Sequence, residues 1–367
     1  MALTYDGTNG ITFNDGSQMG TANQLGMRNR IINGAMVIDQ RNAGASVTPT
    51  VTGTYALDRW SCALTQASKY SVQQNAGSVT PPVGFTNYLG VTSLSAYSIS
   101  ASDVFALYQP IEGFNTADLG WGTANAKTIT LSFQVYSSLT GTFGGALKNS
   151  AVNRSYPFTY SISVANTWTT IFVTIAGDTS GTWIGATNGV GLYVLFGLGV
   201  GSTYSGTAGS WSANNYTSAT GATSVVGTNG ATFYITGVQL EKGSVATPFE
   251  YRHYGTELAL CQRYYWKVSG DGASIGGFGS GQCANSTTAN IIFSYPVTMR
   301  TAPTIAQGGT YTINFGAGNS TVSAITAYTS SGYGRLDATI SGATTGYGAA
   351  GWLSNGTSNF ITGSAEL

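Results

Sequence analysis

The sequence predicts an all-β protein built from sandwiches or barrels. In several segments, apolar and polar residues alternate with a period of two, as they do in strands that bury one face. Clusters of Gly, Asn and Asp separate these segments and are typical of tight turns between short strands. Only 8% of the residues are charged, whereas helical bundles and coiled coils are rich in Glu and Lys. These three observations together favour many short strands.

The alternation is clearest in residues 128–135, where every second residue is apolar: Ile129, Leu131, Phe133 and Val135. Segments 160–164, 312–315 and 336–340 repeat the pattern. Segments 168–175 and 192–196 are denser in apolar and β-branched residues, which predicts central strands.

A further strand is predicted to end near Glu241 and Lys242, because these charged side chains are costly to bury. Its inner face would hold Phe233, Ile235, Val238 and Leu240. The change of parity between Ile235 and Val238 requires a bulge, and Gly237 is the residue that could form it.

Helix is scarce in this sequence. Residues 256–263 predict one helix of about two turns, with Thr256 as its cap, Glu257 in its first turn and Arg263 at its end. We interpret this helix as a connector.

The chain therefore divides into four parts. Residues 1–26 are too few for a core of their own and require a partner surface, either other copies of the chain or a larger assembly. Residues 27–252 form a large β region, residues 253–263 the connector, and residues 264–367 a smaller β domain.

Composition excludes several classes of function. The 14 basic and 14 acidic residues cancel, so the chain lacks the basic surface that nucleic-acid binding requires. The most apolar stretch, residues 189–199, is about half the length of a membrane-spanning helix. The three cysteines are far apart and fit neither a disulfide framework nor a metal site. Residues 1–6 show no signal peptide, so we expect synthesis in the cytoplasm without secretion.

Enzymatic chemistry has little support. A glycosidase needs two carboxyl groups close together, and the acids of the large region form one loose cluster, Asp103, Glu112 and Asp118. The single histidine, His253, lies in the connector, and no Gly-x-Ser-x-Gly motif accompanies it. One histidine also cannot supply an imidazole-based zinc site. We predict a protein that is not an enzyme.

Aromatic and amide side chains are the remaining candidates for binding, because Trp and Tyr offer flat faces while Asn and Arg bond hydroxyl groups. The predicted glycan-binding residues are Trp211, Tyr216, Tyr328, Tyr333, Arg335, Tyr347 and Trp352. The alternative is that these aromatics pack a core or a subunit interface. Asp58 and Arg59 beside Trp60 suggest a buried ion pair that holds a strand in register, or else a glycan contact.

Four blocks of this sequence resemble phage tail-fibre and appendage proteins: residues 29–41, 55–60, 236–252 and 257–265. Residues 3–13 also look like the beginnings of virion fibre proteins. The resemblance implies that the large region is a jelly-roll sandwich similar to a carbohydrate-binding module. It also implies a homotrimer located in the virion, whose residues 1–26 attach to a tail, baseplate or adaptor protein.

The resemblance implies a virion fibre protein that is made in the bacterial host and attaches to a bacterial surface glycan. Residues 264–367 would form the tip that contacts the receptor. The first alternative is a purely structural head, neck or baseplate fibre, and the second is a polysaccharide depolymerase. We expect no cofactor, except that sandwiches of this kind allow a structural calcium ion held by oxygen ligands.

Overall fold

The computed structural model describes residues 27–270, 276–316, 318–354, 356 and 358–367. It also describes the backbone of three short strands, β1 (Thr4–Asp6), β2 (Gly10–Thr12) and β3 (Gln18–Met19), which form an antiparallel sheet in that order. Most of the predicted anchor, residues 1–26, lies outside the described residues, so its attachment role stays a prediction.

Thirteen strands lie between residues 54 and 242. They are β4 (Thr54–Leu57), β5 (Trp60–Leu64), β6 (Tyr70–Gln74), β7 (Leu89–Ser93), β8 (Val104–Glu112), β9 (Ile129–Ser137), β10 (Gly141–Lys148), β11 (Ser155–Ile162), β12 (Thr169–Ile175), β13 (Val190–Val200), β14 (Ser205–Gly206), β15 (Ser218–Ala219) and β16 (Thr232–Lys242).

Eleven of these strands form two antiparallel sheets. One sheet has six strands in the order β11-β10-β13-β8-β5-β4, and the other has five in the order β12-β9-β16-β7-β6. Their inner faces share one apolar core, as in a β-sandwich, while β14 and β15 form a separate parallel pair. The predicted all-β sandwich is confirmed.

The predicted alternation in β9 is confirmed, because Ile129, Leu131, Phe133 and Val135 all lie in the core. The prediction that segment 168–175 is central is wrong: β12 lies at the edge of its sheet, and Phe172 is 63% exposed. Its apolar density reflects β-branched residues on an edge strand and not burial on both faces.

Strand β16 contains the predicted bulge. Its pairing with β9 shifts between Thr236 and Gln239, and Gly237 adopts a φ of +61° there, so the predicted inner-face residues all remain buried. The strand ends at Lys242 as expected. Glu241 is nevertheless buried, because Gln239 and the backbone and hydroxyl groups of Thr247 donate hydrogen bonds to its carboxylate.

One short α-helix, α1 (Tyr254–Gln262), follows the sandwich. Thr256 does not cap it, because the helix begins two residues earlier and His253 occupies the N-cap position. Glu257 lies in the first turn and Arg263 stands at the C-cap, both as predicted. The carboxylate of Glu257 accepts hydrogen bonds from the Asn33 backbone and the Arg252 side chain. None of the helices in the described part of the chain has the length and apolar character needed to cross a membrane.

Ten further strands follow the helix: β17 (Tyr265–Ser269), β18 (Gly276–Asn285), β19 (Thr288–Ser294), β20 (Thr304–Gly308), β21 (Tyr311–Phe315), β22 (Gly318–Thr321), β23 (Ala324–Thr329), β24 (Tyr333–Thr339), β25 (Gly348–Leu353) and β26 (Phe360–Ser364). They form a three-stranded sheet, β17-β26-β20, and a seven-stranded sheet, β22-β21-β25-β18-β19-β24-β23. Trp266 and Ile361 of the smaller sheet pack with Leu336 and Leu353 of the larger one.

Several ion pairs lie where the residues after β26 and after α1 meet the sandwich. Glu366 pairs with both Arg41 and Arg59. The guanidinium of Arg59 also lies 3.7 Å from the centre of the Tyr264 ring. Arg263 pairs with Glu112 at 2.6 Å. We call this set of contacts the joint.

Asp58 and Arg59 belong to residues 55–60, one of the four sequence blocks that resemble fibre proteins. Asp58 and Arg59 are both buried, which leaves neither free for a glycan. They do not form the expected pair with each other: Arg59 pairs with Glu366, and Asp58 accepts hydrogen bonds from the backbone and side chain of Gln40. Burial raises the pKa of Asp58 to about 6, although the charge of Arg41 and the Gln40 hydrogen bonds act to lower it.

Candidate functional site

The outer face of the six-stranded sheet forms the floor of a groove. Side chains of β5, β8, β13 and β10 that alternate with core residues point to this face. Tyr108 lies opposite Ser61 and Leu195, and Lys148 lies opposite Tyr193. The floor therefore combines two tyrosines and one lysine with small or aliphatic neighbours.

The segment between β13 and β16 crosses this face and forms one wall. It can approach closely because β10 and β13 have glycines beneath it: a Cβ atom at Gly144 or Gly197 would lie 2.4 or 2.8 Å from Oγ of Ser218. A side chain at either position would displace the Ser218 side chain or the segment that carries it, so the two glycines allow this close approach. The wall contributes Tyr204, Asn215 and Thr217 to the groove.

The groove has a volume of about 340 Å³ and a mostly apolar lining. The rings of Tyr108 and Tyr193 lie 6.1 Å apart at an angle of 63°, and both side chains are half-buried. Burial raises the pKa of each phenol, so both remain neutral hydrogen-bonding groups near pH 7. Small-molecule sites are typically clefts of this kind, with aromatic walls and a few polar groups.

Lys148 is the charged side chain of the groove. It is 6% exposed, and its Nζ donates to Oδ1 of Asn215 at 2.7 Å and to Oγ1 of Thr217 at 2.6 Å. Burial lowers the pKa of its amine to about 8, so the amine is still mostly protonated at pH 7. Cation, amide and hydroxyl thus form one polar cluster beside the tyrosines.

The predicted residue Trp211 lies outside this groove. Its ring packs edge-on against Trp121 and Trp183, with centroid distances of 5.2 and 5.6 Å, and its Nε1 donates to the carbonyl of Ala176. This arrangement matches the packing alternative for Trp211. Its role in glycan binding stays a prediction.

Tyr216 lies in the groove wall, between two residues that line the groove. Its ring covers Gly206, where a Cβ atom would lie 2.2 Å from the ring, and its hydroxyl accepts a hydrogen bond from Asn214. The ring thus supports the segment that presents Asn215 and Thr217.

A second surface is the outer face of the seven-stranded sheet. The pairing registers place one residue of each of six strands in a row: Tyr328, Arg335, Ile292, Ser280, Ala350 and Asn314. Tyr333 and Trp352 lie two residues from members of this row and therefore share the face. The structure thus places four of the five predicted residues of the C-terminal region on one face, but only Tyr328, Tyr333 and Arg335 lie on neighbouring strands, and Trp352 lies three strands away from β24. We call this the C-terminal face.

Tyr328, Tyr333 and Arg335 on this face are exposed, whereas Trp352 is half-buried. The guanidinium of Arg335 lies 4.4 Å from the centre of the Tyr328 ring and pairs with Asp337 at 2.9 Å. Tyr333 is 60% exposed. Tyr347 does not share this face, because its ring lies over Gly316 at the end of the sheet.

Sequence reasoning missed Tyr108, Tyr193, Tyr204 and Lys148. A weak signal was present for Tyr108, which follows the apolar residues 104–107 of β8, but not for Lys148, which is the last residue of β10 and precedes polar residues. An alternating pattern can indicate that such residues point away from the core. It cannot indicate that strands far apart in sequence bring them to one groove.

The acids considered for catalysis are engaged in other contacts. Glu112 pairs with Arg263, and Asp118 pairs with Arg30 and Lys242. Asp103 accepts hydrogen bonds from Thr65, Tyr97 and the Ser100 backbone, which lower its pKa although burial acts to raise it.

The structure was searched for clusters of side chains that could bind a metal ion. Within the described ranges, no group of three or more His, Cys, Asp or Glu residues could hold a metal ion. The structural calcium ion allowed by the resemblance would have to use other oxygen ligands, and it stays a prediction.

No family model matches this chain, and no curated protein matches it. Among solved structures, it is similar to the enzymatically active domain of bacteriophage CBA120 tailspike protein 4, with 11% identity and a TM-score of 0.32 over 59% of this chain. The match spans only 22% of that tailspike chain.

Two other similar structures are modules that this chain spans almost fully. The family 11 carbohydrate-binding module of a Clostridium thermocellum cellulase has 15% identity and a TM-score of 0.27, with 57% of this chain and 99% of the module covered. The module TmCBM61 in complex with β-1,4-galactotriose has 9% identity and a TM-score of 0.26, with 50% and 88% covered.

Proposed function

We propose that this chain is a glycan-binding fibre protein of a phage virion, which attaches to a bacterial surface. The observation that carries the binding role is the groove on the six-stranded sheet, where Tyr108, Tyr193 and Tyr204 lie beside the Lys148 cluster. Sugars present apolar C–H faces and many hydroxyl groups. The flat tyrosine rings of this groove can stack on the faces, and its donors and acceptors can bond the hydroxyl groups.

The virion role is supported by the sequence blocks that resemble phage tail-fibre proteins. The C-terminal face adds a second exposed aromatic surface for contact with the host. In a homotrimer, three weak sites per fibre would gain avidity without any new contact. The near absence of surface charge suits such a protein, because it limits non-specific electrostatic binding.

Glycan binding is tested by titrating the full chain with oligosaccharides released from the surface of the host bacterium. Replacing both Tyr108 and Tyr193 by alanine removes the two rings of the groove. We expect at least tenfold weaker binding, which corresponds to about 1.4 kcal/mol. Unchanged binding would exclude the groove as the main site.

Two matched variants complete this experiment. Tyr328→Ala with Tyr333→Ala alters the C-terminal face, and a loss confined to this variant would move the binding site there. Tyr254→Ala removes a tyrosine that is 64% exposed at the start of α1, outside both surfaces, and should leave affinity unchanged.

The other parts of the proposal have their own measurements. Light scattering should give about three times the chain mass of 37.9 kDa for a trimer, and a mass near 37.9 kDa would exclude it. Immunogold electron microscopy with antibody to residues 264–367 should label tail ends. Gold on the head or neck would favour a purely structural fibre.

We propose binding without catalysis. Incubation of the host polysaccharide with the protein should therefore release no reducing ends. Release of reducing ends that a single Asp or Glu substitution abolishes, with binding retained, would instead identify a depolymerase.

A further inference from the structure

Lys148 differs from Arg59, the other basic residue that is buried in the described part of the chain. Arg59 is 1% exposed and pairs with Glu366 in the joint. Lys148 is 6% exposed, yet it forms an ion pair with no carboxylate among the described residues. Burying an uncompensated charge is unfavourable, so the position of Lys148 in a groove makes it a candidate for ligand binding.

The ammonium group of Lys148 also has fewer hydrogen-bond acceptors than donors. An ammonium group has three N–H donors, and the described chain supplies two acceptors, Oδ1 of Asn215 and Oγ1 of Thr217. Both acceptors are neutral. One donor and the full positive charge therefore remain available to a molecule in the groove.

The other residues that line the groove are neutral, and they include Tyr108, Tyr193 and Tyr204. No acidic side chain of the lining would repel an anion. A single cation is balanced by a single negative charge, whereas a phosphate dianion would leave excess charge in a half-closed, partly apolar site.

We infer that the groove selects a saccharide that carries a carboxylate, such as a uronic acid, with Lys148 as the counter-ion of that carboxylate. This inference rests on the proposed glycan-binding function and names the class of glycan. The carboxylate would take the third N–H of Lys148, while the tyrosine rings would contact the sugar faces.

The experiment compares acidic sugars with matched neutral ones on the full chain. The probes are oligomers of galacturonic acid and glucuronic acid, N-acetylneuraminic acid, the methyl ester of each, and a sugar phosphate. A methyl ester keeps the carbon skeleton and removes only the charge. We expect at least one acid to bind tenfold or more tightly than its ester.

Two variants connect that preference to Lys148. Lys148→Met should abolish the preference of the acid over its ester, and Lys148→Arg should retain part of it because the charge is kept. Circular dichroism of each variant establishes that the sandwich is folded, so a loss of preference is not a loss of fold.

The outcomes separate this inference from the proposed function. Equal binding of acids and esters, or a preference that survives in Lys148→Met, would overturn the inference and leave glycan binding in place. Tighter binding of the sugar phosphate would also overturn it. Failure of every probe and of the host oligosaccharides to bind would overturn both.

Discussion

Replacing Lys148 by methionine should make the protein more stable, although it removes hydrogen bonds. Methionine keeps an unbranched side chain of similar length in the same space and removes the buried charge. Without a ligand, the folded chain must hold this ammonium with two neutral acceptors and no described carboxylate. Removing the charge therefore relieves an unfavourable burial.

The magnitude follows from the amine pKa, which burial lowers from 10.5 to about 8. This shift corresponds to roughly 3 kcal/mol of lost stability at pH 7, where the amine is protonated in both the folded and the unfolded chain. The variant also loses two hydrogen bonds worth about 1 kcal/mol each. We expect a net gain of about 1 kcal/mol at pH 7.

The pH dependence gives a sharper test. Between pH 8 and 10.5 the unfolded chain binds more protons at this amine than the folded chain does, so wild-type stability rises with pH in that window. Lys148→Met lacks this rise. The stability of the variant relative to wild type should therefore fall by roughly 2 kcal/mol between pH 7 and 9.5.

Urea denaturation of both proteins at pH 7, 8, 9 and 9.5 measures this difference directly, because the other titrating groups are common to both. Lys127→Met is the matched control: its side chain is exposed, and its stability should stay within about 0.5 kcal/mol of wild type. A constant difference between Lys148→Met and wild type across this pH range would refute the reasoning.

Three further substitutions, one of them with a matched control, test the fold. Glu366→Gln leaves the buried Arg59 without its carboxylate and should lower the free energy of unfolding by about 3–5 kcal/mol, whereas Asp337→Asn, at the exposed pair with Arg335, should change it by under about 1 kcal/mol. Similar losses in urea denaturation would show that the joint contributes little. Gly237→Ala places a side chain at φ +61° and 2.6 Å from the Phe85 ring, so calorimetry should show a loss of about 1–3 kcal/mol, and an unchanged melting temperature would contradict the bulge. Trp211→Ala should lose roughly 3 kcal/mol by opening the tryptophan cluster while glycan affinity is retained; a selective loss of affinity would restore Trp211 as a binding residue.

Local sequence patterns were sufficient to predict the buried face of a strand and a bulge within it. The alternation in β9 and the parity change in β16 depend on residues that are neighbours in sequence, so both the buried face and the bulge at Gly237 could be predicted. The position of β12 at a sheet edge could not be predicted, because the composition of a strand does not reveal whether it has one neighbour or two.

Charge pairing depended on the tertiary structure. Asp58 and Arg59 are adjacent in sequence and were expected to pair, but they form the two-residue turn between β4 and β5, where Arg59 has a φ of +69° and the two side chains reach different partners. Arg59 instead pairs with Glu366, which lies 307 residues further along the chain. Glu241 illustrates the same limit, since its burial depends on hydrogen bonds from Gln239 and Thr247.

The sequence by itself determined the all-β class, the scarcity of helix and the absence of a basic surface. These properties follow from composition and from the two-residue period of strands. Only the tertiary structure decided where the groove lies, because Tyr108, Lys148, Tyr193 and Tyr204 come from separate segments that meet through the strand order β10-β13-β8 and the segment that crosses it. Strand order is set by long-range packing, which no local pattern encodes.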